Sequence, residues 1–290
     1  MTTAAFVLVI GSAFMHATWN LLLKLSPDKT TFVWAFSAVQ FVVFFIPAII
    51  VASVTGVPWQ GVMFGLVSAV IHGCYGWGLS RSYELGDLSS AYPAARGVGV
   101  MLIPIFGVLI LNESISAMAA AGIGLVIAGI FVVQTDLHTA RGLLEPVRQL
   151  IRPSSRIALF TGVLIATYSV WDKASLDHLN PIVLLQFTSC GYLLILAPMA
   201  LANRGKRLRH EWSDNRVAII SAGILSPAAY LLVLFALTTS QVSYIGPSRE
   251  VGIVLGAMLG VFFLKEGFGV SRIGGSVLVV SGVVLLGLAP

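Results

Sequence analysis

Apolar and polar positions along this chain alternate in long blocks, not with the short period of a half-buried strand. Runs of about 20 apolar residues, enough to cross roughly 30 Å of hydrocarbon at 1.5 Å per residue, recur almost to the C-terminus. Ten spans are predicted, near residues 3–23, 31–54, 61–80, 89–111, 115–134, 157–176, 180–202, 217–239, 242–264 and 270–288. The breaks between them carry turn and polar signals, among them Ser26-Pro27-Asp28, Gly56-Val57-Pro58 and Asn203-Arg204-Gly205. The first block has no basic leader and no convincing small-residue cleavage site, so it reads as a retained span.

The blocks repeat. Residues 88–113 align without gaps on 241–266 with nine identities, including Ser90 with Ser243, Arg96 with Arg249, Gly107 with Gly260 and Glu113 with Glu266. The match continues through Gly122 with Gly275 and Gly129 with Gly282. At a shift one smaller, His16-Ala-Thr-Trp19-Asn20 faces Tyr168-Ser-Val-Trp171-Asp172. Shared Val, Leu and Gly would mean little between two membrane helices, whereas paired Arg, Glu and Trp are harder to obtain by composition. The expectation is an all-α membrane protein of two five-helix repeats, 1–135 and 157–290, joined by a segment at 136–156. Five is odd, so the second repeat enters the membrane from the opposite side, as in transporters built on inverted repeats.

Composition agrees with this. The 290 residues are 57% hydrophobic and 10% charged, against roughly 25% charged in soluble domains, and the mean hydropathy is +0.94. The net charge of +5 does not form a basic face for nucleic acid. Of 17 Lys and Arg residues, 14 flank odd-numbered connections; Lys173 flanks an even one, and Arg96 and Arg249 lie inside spans. Basic loops face the cytoplasm, which predicts external termini. In the joining segment, Leu137, Leu144, Val147 and Ile151 share one helical face and Arg141, Glu145, Arg148 and Arg152 another. That pattern suits an interfacial helix on an anionic leaflet, or else a solvated linker. Cys74 and Cys190 sit in apolar runs and read as small core residues.

A charge at mid-bilayer costs about 2.5 to 3.5 kcal/mol even on the lenient insertion scale, which makes intramembrane ionisable residues functional candidates. Arg96 and Arg249 lead, each shortly after a proline (Pro93, Pro247) that removes a backbone donor and favours a kink. Guanidinium groups suit carboxylate or phosphate; the competing expectation is internal pairing, of Arg249 with Glu250 or Asp172. His16, Trp19 and Asn20, like Tyr168, Trp171 and Asp172, fall at i, i+3 and i+4 and share a helix face. Either set could bind substrate, and Asp172 or His16 a coupled proton, or both could serve interhelical hydrogen bonding and interfacial anchoring. His72 lies on a small-residue stripe with Gly65, Ala69 and Gly76 and reads more readily as packing than as a ligand. Trp77, Tyr92, Tyr230 and Tyr244, with Tyr75, are candidates for an aromatic pocket wall. Glu113 and Glu266 lie about 25 Å along a helix from the arginines and suit capping of the next helix. A Walker loop, a metal-ligand spacing and a nucleophile elbow are all missing, so neither an enzyme nor a cofactor is expected.

Three stretches carry a family resemblance. They are His16-Ala-Thr-Trp19-Asn20, the run from Tyr83-Glu-Leu-Gly86-Asp87 through Ser89-Ser-Ala-Tyr92-Pro93-Ala-Ala-Arg96-Gly97, and Leu264-Lys265-Glu266 before the glycine-rich tenth span. The chain thereby resembles the ten-helix, EamA-type branch of the drug/metabolite transporter superfamily. The resemblance implies alternating-access secondary transport in a bacterial inner membrane, with a cavity between the halves. Relatives of this kind have cytoplasmic termini; the charge bias here argues for external ones. The expected substrate is a small anionic or zwitterionic metabolite such as an amino acid, exported through Arg96 and Arg249, with coupled protons as a further partner. The alternatives are proton-coupled export of organic cations through Asp172 or Glu250, and a non-transporting membrane component.

Overall fold

The computed structural model describes residues 1–85, 88–133, 156–201, 205–264 and 269–290, with the side chains of 83–95 and 260–264 outside that description. Among the described residues it is entirely helical. The helices are α1 (Thr3–Leu25), α2 (Lys29–Thr55), α3 (Trp59–Leu85), α4 (Leu88–Leu111), α5 (Ala117–Val133), α6 (Arg156–Ser175), α7 (Pro181–Ala200), α8 (Lys206–Thr239), α9 (Val242–Ser248), α10 (Val251–Leu264) and α11 (Val270–Leu288). They make ten spans, the ninth divided into α9 and α10. By length and composition α1, α2, α3, α7, α8 and α11 are each long and apolar enough to cross a membrane. Large apolar side chains such as Val42, Leu109, Leu194 and Val217 face outward, as a lipid solvent permits and water does not.

Local chemistry sets the ends. Asp28 caps α2 by accepting from the Thr31 N–H (3.0 Å) and hydroxyl (2.8 Å). Asn180 accepts from Ile182 N–H at 3.0 Å, with Pro181 at the first position of α7, where its missing donor costs nothing. Two boundaries differ from expectation. α8 begins at Lys206 rather than near 217, because its polar first turns are tied down: buried Glu211 accepts from Ser26 (2.7 Å) and Asn215 (2.8 Å). Hydropathy cannot see a polar helical extension, and a non-helical Asn215 marks where it bends into the span. The ninth span is broken at Arg249 and Glu250, just after Pro247, while α4 runs without interruption past Arg96. The amphipathic pattern at 136–155 and Glu266 lie outside the described residues.

Helix pairing has two-fold character. α1 packs on α8 and α6 on α3; α4 packs on α6 and the ninth span on α1; α3 packs on α7 and α8 on α2. Each pairing maps onto its partner when the halves exchange, while α2 with α7, and α5 with α11, map onto themselves. The α5–α11 crossing is reciprocal to the residue. A Cβ on Gly122 would lie 2.9 Å from the Gly282 carbonyl oxygen, and one on Gly129 2.7 Å from that of Gly275. Gly122 and Gly275 are repeat equivalents, as are Gly129 and Gly282, so this is an isologous contact between halves.

The termini share one end of the bundle: the Met1 amine donates to Ala289 O at 2.9 Å, and Tyr244 donates to Pro290 O at 3.2 Å. Lys24, Lys29, Lys206, Arg207 and Arg209 lie where α1 ends and α2 and α8 begin, at the other end. At the terminal end Glu113 performs an unexpected cap. Its carboxylate accepts from Val242 N–H (2.7 Å), Ser243 N–H (2.9 Å) and the Ser243 hydroxyl (2.5 Å), so it caps α9 in the other half, not the next helix. Asn112 supplies the left-handed turn (φ 55°) that redirects the chain, and Gly107 leaves the room: a Cβ there would collide with Ser243 and approach the Glu113 carboxylate. α5 is capped instead by Ser116, which accepts from Ala119 N–H at 3.2 Å.

Candidate functional site

A central cavity of about 70 Å³ lies between the halves, walled by residues of α1, α2, α3, α6, α7 and α8 and by Arg249 at the break of the ninth span. Its wall is aromatic. Trp19, Tyr75, Tyr168, Tyr192 and Tyr230 all line it, with His16, His72, Gln40 and Thr188 as polar members.

Two buried polar clusters flank this cavity. In the first, Arg96 on α4 holds Glu250 in a fork: Nε donates to Oε2 at 2.9 Å and Nη2 to Oε1 at 2.6 Å. The same guanidinium reaches His16 Nε2 through Nη1 at 3.2 Å. Both charged residues are buried, at 8% and 4% exposure, and a bidentate pair is what makes such burial tolerable. The repeat places Glu250 opposite Gly97, so the carboxylate that neutralises Arg96 has no equivalent in the first half. The ion-pair partner of Glu250 is thus Arg96, across the molecule, and not its neighbour Arg249.

The second cluster centres on Asp172, which is fully buried. Its Oδ1 accepts from Ser68 at 2.5 Å; its Oδ2 meets His72 Nε2 at 2.8 Å and accepts from the Tyr230 hydroxyl. Tyr230 also lies 3.3 Å from His72 Nε2. The His72 ring packs on Tyr168 with centroids 4.4 Å apart. His72, expected to serve packing, therefore bonds a buried carboxylate and lines the cavity.

Arg249 differs from Arg96. It caps the C-terminus of α9, lines the cavity, and lies 5.8 Å over the Tyr230 ring, a cation–π distance. Among the described residues no carboxylate comes within ion-pair reach of it. The Trp19 indole N–H, buried in the same wall, likewise finds no acceptor among them.

Of the residues singled out by sequence, His16, Tyr168, Tyr230 and Arg249 line the cavity, while Arg96, Glu250 and Asp172 stand behind its wall. Asn20 turns back on its own helix and donates to His16 O at 2.7 Å. Trp171 stacks on Phe64 at 4.9 Å and donates to its carbonyl at 2.9 Å, a packing role against α3. Trp77 is 37% exposed on the outer surface. Tyr244 sits among α5 and α11 at the terminal end, beside Ser116 and Pro290. The Tyr92 side chain lies outside the described residues. Sequence reading passed over Gln40, Thr188 and Tyr192. Gln40, which donates to Ser189 at 2.6 Å, was the legible one, as a buried amide within an apolar run.

Comparison with known proteins gives three findings. The EamA-like transporter family matches residues 156–288, from the first residue of α6 to the last of α11. Two curated relatives named multidrug resistance protein EbrB are similar to part of the chain. That of Bacillus subtilis (strain 168) is 42% identical over 82 residues, covering 28% of this chain and 65% of the relative. That of Bacillus atrophaeus is 42% identical over 84 residues, covering 29% and 67%. The chain thus spans less than two thirds of the first relative and about two thirds of the second. A solved crystal structure of a protein superposes with a TM-score of 0.75 at 16% identity, over 98% of this chain and 96% of that one, a likeness of fold.

Proposed function

The chain belongs to the EamA-like transporter family, and from that premise we propose that it is a secondary active transporter of small carboxylate-bearing metabolites, anionic or zwitterionic, such as amino acids. Arg249 carries this reading. It is a cation on the cavity wall with no carboxylate of the described protein beside it, held at a helix break where its position is fixed by backbone as well as by side chain. Charged groups in a low-dielectric site are costly unless paired, and a substrate carboxylate supplies the partner. The Trp19 N–H adds a second unused donor in the same wall. Alternating access follows from the inverted repeat, with the two halves rocking about the cavity. Arg96 contributes as a positioning residue that holds Glu250, and with it the helix break, in place.

We further propose that the protein sits in a bacterial inner membrane with the basic end cytoplasmic and the termini outside. A reporter active only in the cytoplasm, fused to Pro290, should be silent; strong activity reverses the assignment. For the substrate, a thermal-shift screen of purified protein against metabolites should return carboxylates. A ligand at 100 times its dissociation constant stabilises the native state by about 2.7 kcal/mol, and Arg249→Ala should remove the shift. A screen whose binders all lack an acidic group defeats the reading.

A second reading has its own support. The aromatic wall suits an organic cation, and the name multidrug resistance protein borne by the curated relatives agrees with such cargo. Under that reading Asp172→Asn, not Arg249→Ala, abolishes transport.

A further inference from the structure

We infer that Asp172 and His72 form the binding site for a coupling proton, and that Tyr230 links this site to the substrate anchor Arg249. The inference rests on the proposed transport function and adds what drives it.

Four observations converge. Asp172 is a fully buried carboxylate on α6, and among the described residues no lysine or arginine pairs with it. The groups that face it from the elements packed around it are Ser68 and His72 on α3 and Tyr230 on α8, with Tyr168 on its own helix and Tyr192 on α7 beyond the His72 ring. Neighbouring Lys173 turns away and donates to Leu237 O at 2.5 Å. Asp172 therefore shares its charge with an imidazole, the side chain best suited to exchange a proton near neutrality. His72 and Tyr230 line the cavity while Asp172 does not, so a proton has a route in through His72.

The chemistry of the ligands selects a proton over a metal cation. Ser68 and Tyr230 approach the carboxylate oxygens as hydrogen-bond donors, and His72 does so in its Nε2–H tautomer; a nitrogen so placed suits a proton better than a sodium-like ion, which takes oxygen ligands. One proton passes from a hydronium ion to the pair: an O–H bond of hydronium breaks, an O–H bond forms on Asp172 or an N–H bond on His72, water leaves, and the net charge of the pair rises by +1. Oδ2 then cannot accept fully from both His72 and Tyr230, so the Tyr230 hydroxyl is released from one of its bonds. The Tyr230 ring also carries the Arg249 guanidinium. Proton occupancy and the position of the anchor are thus joined by one side chain.

Electrostatics fixes the sign. The pair and Arg249 are separated by the Tyr230 side chain, and a positive charge added about one side chain away, at an effective dielectric of about 20, strengthens anion binding on the order of tenfold. By linkage the anion favours the proton equally. A carboxylate and a proton therefore travel together, and an inward proton gradient drives uptake. A cationic cargo would be repelled by the same proton, so under this inference uptake replaces the carboxylate export expected from the sequence, and proton-driven export remains with the alternative, cationic class.

Benzoate, a simple carboxylate, tests this with the full chain in lipid nanodiscs. Binding is read by thermal shift, and carboxyl protonation by infrared difference spectroscopy. Wild type should show a carboxylic-acid band on acidification that Asp172→Asn lacks, and should bind benzoate on the order of tenfold more tightly at acidic than at alkaline pH. Asp172→Asn should bind benzoate with no pH dependence, and Tyr230→Phe, which leaves the proton's charge in place, should keep the band and a reduced pH dependence. A band unchanged in Asp172→Asn, with His72→Gln also without effect, overturns the proton site. Benzoate binding that ignores pH in wild type overturns the link while sparing the carboxylate reading. If benzoate fails to bind at any pH while the Asp172 band is present, the carboxylate reading falls and the proton site stands.

Discussion

Arg96 and Arg249 occupy the same place in two copies of one repeat, yet one is neutralised and the other faces the cavity. The difference is a single residue: Glu250 follows Arg249 where Gly97 follows Arg96. Glu250 reaches across to Arg96 rather than back to its neighbour, so one acidic residue in the second half removes a charge contributed by the first. A symmetric scaffold thereby acquires an asymmetric site. Had both halves carried Gly, two buried cations would stand without a neighbouring carboxylate; had both carried Glu, each arginine could have its own.

The largest test of this contrast breaks the pair. Arg96→Ala or Glu250→Ala leaves a buried charge alone and should cost about 3 to 5 kcal/mol of stability, seen as a large fall in melting temperature in detergent. Arg249→Ala should leave that temperature nearly unchanged while weakening carboxylate binding by roughly 2 to 5 kcal/mol; equal melting losses at both arginines would erase the distinction. Replacing the pair by Leu at both 96 and 250 should recover most of the loss, since buried pairs exchanged for apolar residues are often neutral or better. Sharper still is Gly97→Glu, where a Cβ meets only Ile130 at an ordinary 3.7 Å. It gives the first half its own carboxylate and should cut benzoate affinity several-fold by pairing with Arg249. The smallest effect belongs to Glu113→Gln, which keeps the shape of the α9 cap but loses its charge. It should lower stability by about 1 kcal/mol, with Arg249-dependent binding intact.

Much of the architecture was legible in the sequence. Long apolar blocks gave the spans that the helices follow, and the repeat rests on identities within the sequence such as Arg96 with Arg249. The pairing of Arg96 with Glu250 was not legible, because an internal alignment identifies equivalent residues and says nothing of which equivalents meet. The helical stripes were half legible. Tyr168 and Trp171 share a face, but that face is wide enough to span two neighbours: Tyr168 meets the cavity while Trp171 meets Phe64 on α3. The polar start of α8 was invisible to hydropathy because its stability comes from Ser26 and Glu211, 185 positions apart.

The glycine seam between α5 and α11 has a mechanical meaning. Backbone lies against backbone there, with no side chain of Gly122, Gly129, Gly275 or Gly282 interposed. The side chains pressed on these glycines are branched apolar ones, among them Val126, Val133, Val279 and Leu286, with few rotamers to change, so the joint has little room for a second arrangement. It also maps onto itself when the halves trade places. A lever needs one point that does not travel; under the alternating access proposed above, the seam would be that fulcrum and the eight remaining spans the arms that tilt about it.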